Sequence, residues 1–234
     1  MNDNKSVTRK LETLKIVPIF SGLGIKDLEK IANVAFQRSY TKEQVVLFED
    51  EGGQTLFIVM TGQVKISRIS EDGREVILAV MAEGDFFGEL SLLDGQSRSA
   101  NVVCTKDAEM LLINRDDFLN LLSEFPQIAI QLLRELASRM RKSDSQIKNL
   151  SLKNSTGKVA GTIARLAEDI GIPNNGSTIE IPNLPTQQDL ANMSGTSRET
   201  ISRVLQRFIN DGYVSKDGNK LVIRDFEKFK KDLV

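Results

Sequence analysis

Residues 84–100 read GDFFGELSLLDGQSRSA, and this short, non-repetitive segment combines groups that can bind a sugar phosphate. The carboxylates of Asp85 and Glu89 can accept hydrogen bonds from ribose hydroxyls. Arg98, followed by the hydroxyl of Ser99, can hold a phosphate in a bidentate fork. The same pattern also occurs in solvated loops that contain one structural ion pair, so the flanking chain has to decide between the two interpretations.

The chain around this segment, from position 36 onward, consists of short apolar runs that turn residues separate. The Asp72-Gly73 dipeptide between two such runs is typical of a β-hairpin. Short strands without long helices between them predict an antiparallel β-roll of the jelly-roll type, which residues 84–100 interrupt. The predicted strands are Val45–Phe48, Leu56–Met60, Val64–Ile69, Val76–Val80, Val102–Val103 and Met110–Ile113.

A long helix is predicted to follow, beginning at Phe125-Pro126. It carries a line of residues at spacings of three and four, which is typical of a coiled-coil seam and predicts a parallel dimer; the alternative is a helix packed on its own β-domain. Asp144 is the unusual member, because a lone carboxylate on a dimer axis needs a donor or an outward position. This seam consists of Ile130, Leu133, Ala137, Met140, Asp144 and Ile147.

The last part of the chain predicts a winged helix-turn-helix after a polar hinge at residues 154–157. Thr186 with Asp189 resembles a capping box, and a glycine at position 195 supplies the turn before the second helix. Residues 172–182 are predicted to be a polar loop, and a hairpin around Asp217-Gly218 is predicted to form the wing.

Composition narrows the function further. The 234 residues carry a net charge of −1 with no histidine and one cysteine, which argues against metal, haem or iron–sulfur sensing and fits a reducing cytosol. Neither a signal peptide nor a membrane-spanning run is evident, so we expect a cytoplasmic protein with no membrane partner. With no histidine, no metal cluster and no activated nucleophile, the chain is not expected to be an enzyme.

The order of these parts resembles the cyclic AMP receptor protein/fumarate–nitrate reductase regulator family of bacterial transcription factors. The motifs that carry the resemblance are FGEL…RSA in the roll and SRETISR in the helix-turn-helix. It implies an α+β protein with an effector domain at 1–124, a dimerisation helix at 125–153 and a winged helix-turn-helix domain at 154–234.

The resemblance also implies the ligand. Glu89 beside Gly88 and Leu90 corresponds to the acceptor for the ribose hydroxyl, and Arg98 with Ser99 corresponds to the phosphate clamp. Ser143 and Asp144 fall where family members contact the purine with hydroxyls. A carboxylate there can accept from adenine or from guanine, so cyclic GMP stays possible. Cyclic AMP is expected because the resemblance implies it as the more frequent effector of the family.

On the DNA side the resemblance implies a homodimer that binds double-stranded DNA at a palindrome of TGTGA-like half-sites and acts with RNA polymerase. Arginine suits guanine and glutamate suits cytosine, whereas hydroxyls hold phosphates. The implied base-reading face contains Arg198, Glu199, Ser202 and Arg203, and the implied phosphate contacts are Thr156, Thr186, Ser197 and Thr200.

Gating is expected to operate through the long helix, which the ligand would lengthen or straighten near residues 143–151. Two alternatives stay open. The effector could be a cyclic dinucleotide or another metabolite, or could be absent, or the chain could be a cyclic-nucleotide-binding regulator that acts through protein partners.

Overall fold

A computed structural model describes residues 2–174 and 176–234, with side chains from Val7 onward; Met1 and Asn175 lie outside it. The chain forms two compact units. The first contains residues up to Arg68 together with Met81–Met140, and the second contains Ile69–Val80 together with Arg141–Val234. These units divide the chain differently from the three segments expected from the sequence, whose boundaries stay a prediction.

The strands of the N-terminal half form two four-stranded sheets, ordered β1-β8-β3-β6 and β2-β7-β4-β5. The pairings β1 with β8, β3 with β8 and β6, and β7 with β2 and β4 are all antiparallel. The jelly-roll-type fold expected from the sequence is therefore confirmed. The strands are β1 (Phe36–Tyr40), β2 (Val45–Leu47), β3 (Thr55–Thr61), β4 (Val64–Ile69), β5 (Glu75–Met81), β6 (Phe86–Phe87), β7 (Asn101–Cys104) and β8 (Ala108–Asn114).

Helices supply the rest of the first unit's core. Alternate residues of β3, including the fully buried Leu56 and Ile58, pack with apolar residues of the helices around Phe118 and Ile128. Pro18 begins a short 3-10 turn and so separates the first two helices. The helices are α1 (Asn2–Ile16), α2 (Ile25–Val34), α3 (Glu89–Asp94), α4 (Arg115–Glu124) and α5 (Pro126–Leu152), of which α5 continues into the second unit.

The second unit is a helical bundle with a small antiparallel sheet ordered β11-β12-β10-β9. Its core includes Ile163 of α6, Leu190 of α7, Phe208 of α8 and Phe229 of α9, together with Ile77 from β5. The remaining elements are α6 (Ser155–Ile170), β9 (Ile172–Asn174), β10 (Thr178–Ile181), α7 (Gln187–Ser194), α8 (Arg198–Asn210), β11 (Val214–Asp217), β12 (Lys220–Ile223) and α9 (Phe226–Leu233).

The sequence interpretation was wrong for residues 172–182, which it treated as a loop. They contain the hairpin strands β9 and β10, and β10 pairs with β12 in register from Ile179↔Ile223 to Ile181↔Leu221. Strand β9 is short, exposed and contains proline and asparagine, so it lacks the alternation of apolar and polar residues by which a strand is predicted. Strands β1 and β6 also escaped prediction. The hinge is shorter than predicted, because Asn154 is already the N-cap of α6 and accepts from Gly157 N at 3.0 Å.

Among the described residues, no helix is both long enough and apolar enough to cross a membrane.

Candidate functional site

The 84–100 segment forms a tight corner between β6 and α3. Gly88 has a φ of 84°, a left-handed conformation that favours glycine, and it is the N-cap of α3. Glu89 follows as the first residue of this helix and is only 4% exposed. The corner therefore places a carboxylate inside the roll, where a charged group requires a partner.

Arg139 of α5 is that partner, and the sequence interpretation missed it. Its Nη1 donates to Glu89 Oε1 at 3.0 Å, and its Nη2 donates to the Phe86 carbonyl at 2.8 Å. The guanidinium also lies over the Phe86 ring, with Cζ 4.4 Å from the ring centroid. Burial raises the pKa of Glu89, and the charge of Arg139 opposes that rise.

Arg98 is buried in the same corner, at 5% exposure. Its Nη1 donates to the Gly88 carbonyl and to Ser91 Oγ, and its Nη2 donates to the Thr55 carbonyl, each at 2.8 Å. All three acceptors are neutral, and no carboxylate in the described part of the chain forms a salt bridge with this guanidinium. Its Nε is buried and has no hydrogen-bond partner there. Burial lowers the pKa of Arg98, and nearby Glu89 opposes that shift.

Two glycines make room for this arginine. A Cβ on Gly53 would lie 2.3 Å from Arg98 Nε and 2.5 Å from Ser91 Oγ, and a Cβ on Gly88 would lie 2.6 Å from Arg98 Nη1. Contacts this short do not occur between non-bonded atoms, so larger residues would displace the guanidinium. The site is thus a buried, fixed cation beside a buried ion pair, and two of its five N–H donors, on Nε and Nη2, have no acceptor among the described residues. This arrangement suits an anionic ligand.

The other predicted ligand residues are less enclosed. Ser99 is exposed, and Leu90 is 44% exposed, so only Leu92 of the apolar residues in α3 is fully buried. The Asp85 carboxylate accepts from Ala82 N at 2.8 Å and so fixes its own turn. The structure brings Gly88, Glu89 and Arg98 together.

Ser143 and Asp144, which were predicted to contact the base, belong to the second unit. Both are exposed on α5. They lie among exposed apolar residues at heptad spacing: Ile130 is 53%, Leu133 67%, Met140 62% and Ile147 62% exposed.

The helix-turn-helix is formed as the sequence predicts. Thr186 and Asp189 make a reciprocal capping box at the start of α7, Gly195 turns the chain at a φ of 57°, and Ser197 Oγ accepts from Thr200 N at 3.3 Å to begin α8. Ile201, Val204, Leu205 and Phe208 of α8 are buried.

The opposite face of α8 is exposed and carries the four predicted base-reading residues, Arg198, Glu199, Ser202 and Arg203. Among the described residues, no carboxylate forms a salt bridge with either arginine. The helix-start amide and the Ser197 hydroxyl lower the pKa of Glu199, so its side chain is an anion near neutral pH. Of the predicted phosphate contacts, Thr186 and Ser197 are exposed, whereas Thr156 and Thr200 are half-buried.

Comparison with known proteins gives the same two parts. Residues 37–125 match the cyclic nucleotide-binding domain, and residues 157–231 match the Crp-like helix-turn-helix domain. Among solved structures, FixK2 from Bradyrhizobium japonicum covers 85% of this chain and 96% of its own length with a TM-score of 0.75, and at 24% identity it shows the fold alone.

Curated relatives match over nearly the whole chain. A CRP-like cAMP-activated global transcriptional regulator from Mycobacterium tuberculosis is 30% identical over 93% of this chain and 96% of its own length. The cyclic AMP receptor protein of Thermus thermophilus is 32% identical over 91% and 94%, respectively. These relatives are transcription regulators rather than enzymes. With both domains matched in order and relatives at this identity over more than nine-tenths of its length, the chain belongs to the cyclic AMP receptor protein/fumarate–nitrate reductase regulator family of DNA-binding transcription regulators.

Proposed function

We propose that this protein is a homodimeric transcription regulator gated by a cyclic nucleotide, with cyclic AMP as the expected effector, and that it binds a palindrome of TGTGA-like half-sites. The observation that carries the ligand proposal is Arg98. A buried guanidinium that is held only by neutral acceptors, and whose Nε lacks a partner among the described residues, has the charge and the donor that a cyclic phosphate requires.

Glu89 supports the ribose part of the proposal. Its Oε1 accepts from Arg139, and a carboxylate has acceptor capacity for several donors, so a ribose hydroxyl can share it without breaking the ion pair. Arg139 would then hold the carboxylate in the ionised form that accepts the hydroxyl. We therefore add Arg139 to the proposed ligand set as a positioning residue.

The base would be read from α5 by Ser143 and Asp144. An Asp144 carboxylate can accept from the adenine amino group, or from the two donors of the guanine edge together. Titration of cyclic AMP and cyclic GMP into the wild-type protein and an Asp144→Ser variant separates these possibilities. If Asp144 reads guanine, the substitution weakens cyclic GMP selectively, whereas equal effects on both nucleotides would contradict a base-reading role.

The seam on α5 supports the homodimer. Ile130, Leu133, Met140 and Ile147 expose more than half of their surface at heptad spacing, and an exposed apolar line of this kind is typical of a helix that packs on a second copy. Two recognition helices on a two-fold dimer would meet successive major grooves about 34 Å apart. The expected bound species is therefore one dimer on one palindrome.

The extent of α5 changes where we expect the gating motion to occur. This helix is continuous through Leu152, so a ligand need not lengthen it near residues 143–151. The break in the helical chain comprises Lys153 and Asn154, and we place the hinge of the switch there. To act as a switch, the nucleotide must favour the DNA-competent conformation by several kcal/mol.

The test is a pair of titrations on the full-length protein. Calorimetry measures cyclic AMP binding by the wild type and by Arg98→Gln, and fluorescence anisotropy measures the affinity for a TGTGA palindrome with and without the nucleotide. We expect nucleotide-dependent DNA binding that Arg98→Gln abolishes and that weakens steeply as salt rises. DNA binding at full affinity without nucleotide would instead indicate a regulator with another effector or none. Absent or salt-insensitive DNA binding would indicate a regulator that acts through protein partners.

A further inference from the structure

The second unit contains a cavity of about 170 Å³ at the C-terminal half of α5, α6 and α9. Its volume corresponds to about six water molecules at liquid density, which is enough for a compact metabolite. Nine of its fourteen described lining residues are polar or charged, and the apolar members are Leu150, Ala164, Met193 and Val234.

The charges of the lining are strongly unequal. Four described lining residues are cationic, whereas one has a carboxylate side chain. The cations are Lys142, Lys158, Arg165 and Lys230, and the carboxylate is that of Glu168. Two of the cations already have acidic partners. Lys142 pairs with Asp169 at 2.6 Å, and Lys230 pairs with Glu227 at 3.1 Å.

Arg165 is the first of the remaining cations. Its Nη1 donates to the Leu78 carbonyl at 3.0 Å and to Gln146 Oε1, whereas its Nη2 is buried without a partner among the described residues. Burial lowers its pKa, and Asp169 opposes that shift from a distance. A buried donor of this kind is normally satisfied, so its lack of a partner points to an acceptor that comes from outside the chain.

Lys158 is the second cation of the lining without a described acidic partner. Within the described part of the chain, no carboxylate or carbonyl pairs with its ammonium group. Asn149 lies on the facing side of the cavity, where α5 and α6 approach each other closely; a Cβ on Gly161 would lie 2.8 Å from Asn149 Nδ2. The absence of a side chain at position 161 therefore makes room for the Asn149 amide, which lines the cavity together with two cations that lack direct acidic partners among the described residues.

We propose that this cavity is a second ligand site, separate from the Glu89–Arg98 site, for a small anion that carries a phosphate or a carboxylate group. Lys158 and Arg165 supply the positive charge, and Ser145 and Asn149 supply neutral polar groups. The anion would bridge α5 and α6, which join at the Lys153–Asn154 break. Its occupancy would therefore be coupled to the geometry of the unit that carries the recognition helix.

The test uses the full-length protein and follows the Gly161 amide by NMR during titration with sodium phosphate and, separately, sodium succinate, at constant ionic strength. The two titrations distinguish a phosphate ligand from a carboxylate ligand. The half-exposed Lys158 can be replaced without disturbing a buried contact, so Lys158→Gln is the main variant. We expect it to weaken anion binding about tenfold, which is the typical contribution of one charge-assisted hydrogen bond.

Two controls make the result specific. Lys231→Gln removes the same charge from an exposed lysine of α9 outside the cavity lining and should leave the titration unchanged. Arg98→Gln removes the cation of the nucleotide site and should also leave it unchanged, so this test stands apart from the proposed function. An unshifted Gly161 amide in the tens of millimolar range for both anions would overturn the proposal. An equal loss in Lys158→Gln and Lys231→Gln, or loss only in Arg98→Gln, would overturn it as well.

Discussion

Replacement of Gly53 by alanine should damage the proposed phosphate site without altering any residue that would touch the ligand. The added Cβ would lie 2.3 Å from Arg98 Nε and 2.5 Å from Ser91 Oγ, whereas ordinary non-bonded contacts are about 3.5 Å. The guanidinium must therefore move by roughly 1 Å, since Gly53 is buried and the clash involves the part of Arg98 nearest its aliphatic stem.

The size of the effect follows from the three hydrogen bonds that hold Arg98, each 2.8 Å long. A shift of this size cannot preserve all of them, and one hydrogen bond from a charged group contributes about 2 kcal/mol. If the lost interaction is the one that orients the guanidinium toward the phosphate, the nucleotide dissociation constant rises about 30-fold. Because the site also lies in the core of the roll, we expect a loss of about 2 kcal/mol in the free energy of unfolding.

Gly52 provides a matched control. It precedes Gly53, its φ is not left-handed, and a Cβ on it would meet no atom within 4 Å. Calorimetric titration of cyclic AMP into Gly52→Ala and Gly53→Ala, together with urea unfolding of both, compares two substitutions that differ only in what the methyl group contacts. Equal dissociation constants for the two variants would refute the argument that the position of Arg98 determines phosphate binding.

Three further predictions follow from individual contacts. Leu133→Lys should dissociate the proposed dimer in analytical ultracentrifugation because it buries a charge in the seam. Gln131→Lys, which lies on the same helix outside the seam, should leave the dimer intact. If both variants are dimers, the seam is not the interface. Thr186→Val should lower the free energy of unfolding by about 1 kcal/mol in a urea titration because its hydroxyl accepts from Asp189 N at 3.1 Å, and an unchanged midpoint would show that the cap is dispensable. Burial raises the pKa of the Cys104 thiol from 9.0 to about 11, so the native state holds this proton more tightly than the unfolded state. The free energy of unfolding should therefore fall as the pH rises from about 9 to about 11, and Cys104→Ala should reduce that slope, which unfolding at a series of pH values measures.

The architecture was predictable because the deciding signals are local. Asp72-Gly73 fixes a hairpin, Pro18 separates two helices, and Thr186 with Asp189 begins α7, each by a contact within a few residues. Such signals need no knowledge of the rest of the chain. The helix-turn-helix and the roll could therefore be assigned, and the order of the two domains then carried the family resemblance.

The parts that escaped prediction depend on distant partners. Strand β1 is largely exposed, and its pairing with β8 joins Phe36 to Leu112, so no local pattern marks it. Strand β9 contains Pro173 and is exposed along its length, so only its pairing with β10 makes it a strand. In both cases the backbone hydrogen bonds go to a neighbouring strand, and the local sequence does not indicate which strand that is.

Arg139, inside the candidate site, also depends on partners that are distant in the sequence. Along α5 it is one charged residue among several, and nothing in its local sequence marks it as a buried partner of Glu89. Its guanidinium instead satisfies Glu89 Oε1 and the Phe86 carbonyl, fifty positions or more away. Glu89, taken from sequence as a free acceptor, is thus one half of a buried ion pair.

This pairing changes what a ligand must do at the site. A ribose hydroxyl is a neutral donor, so it can add to the Glu89–Arg139 pair but cannot replace its charge. Loss of Arg139 would leave a buried carboxylate without a direct counter-charge and would raise the pKa of Glu89 further, toward a protonated form that accepts poorly. The predicted role of the Glu89 carboxylate as a hydrogen-bond acceptor therefore depends on Arg139. Arg139 belongs to α5, the same helix that carries the proposed dimer seam and base-reading positions. We therefore expect the proposed nucleotide binding and the state of this helix to be coupled through that one ion pair.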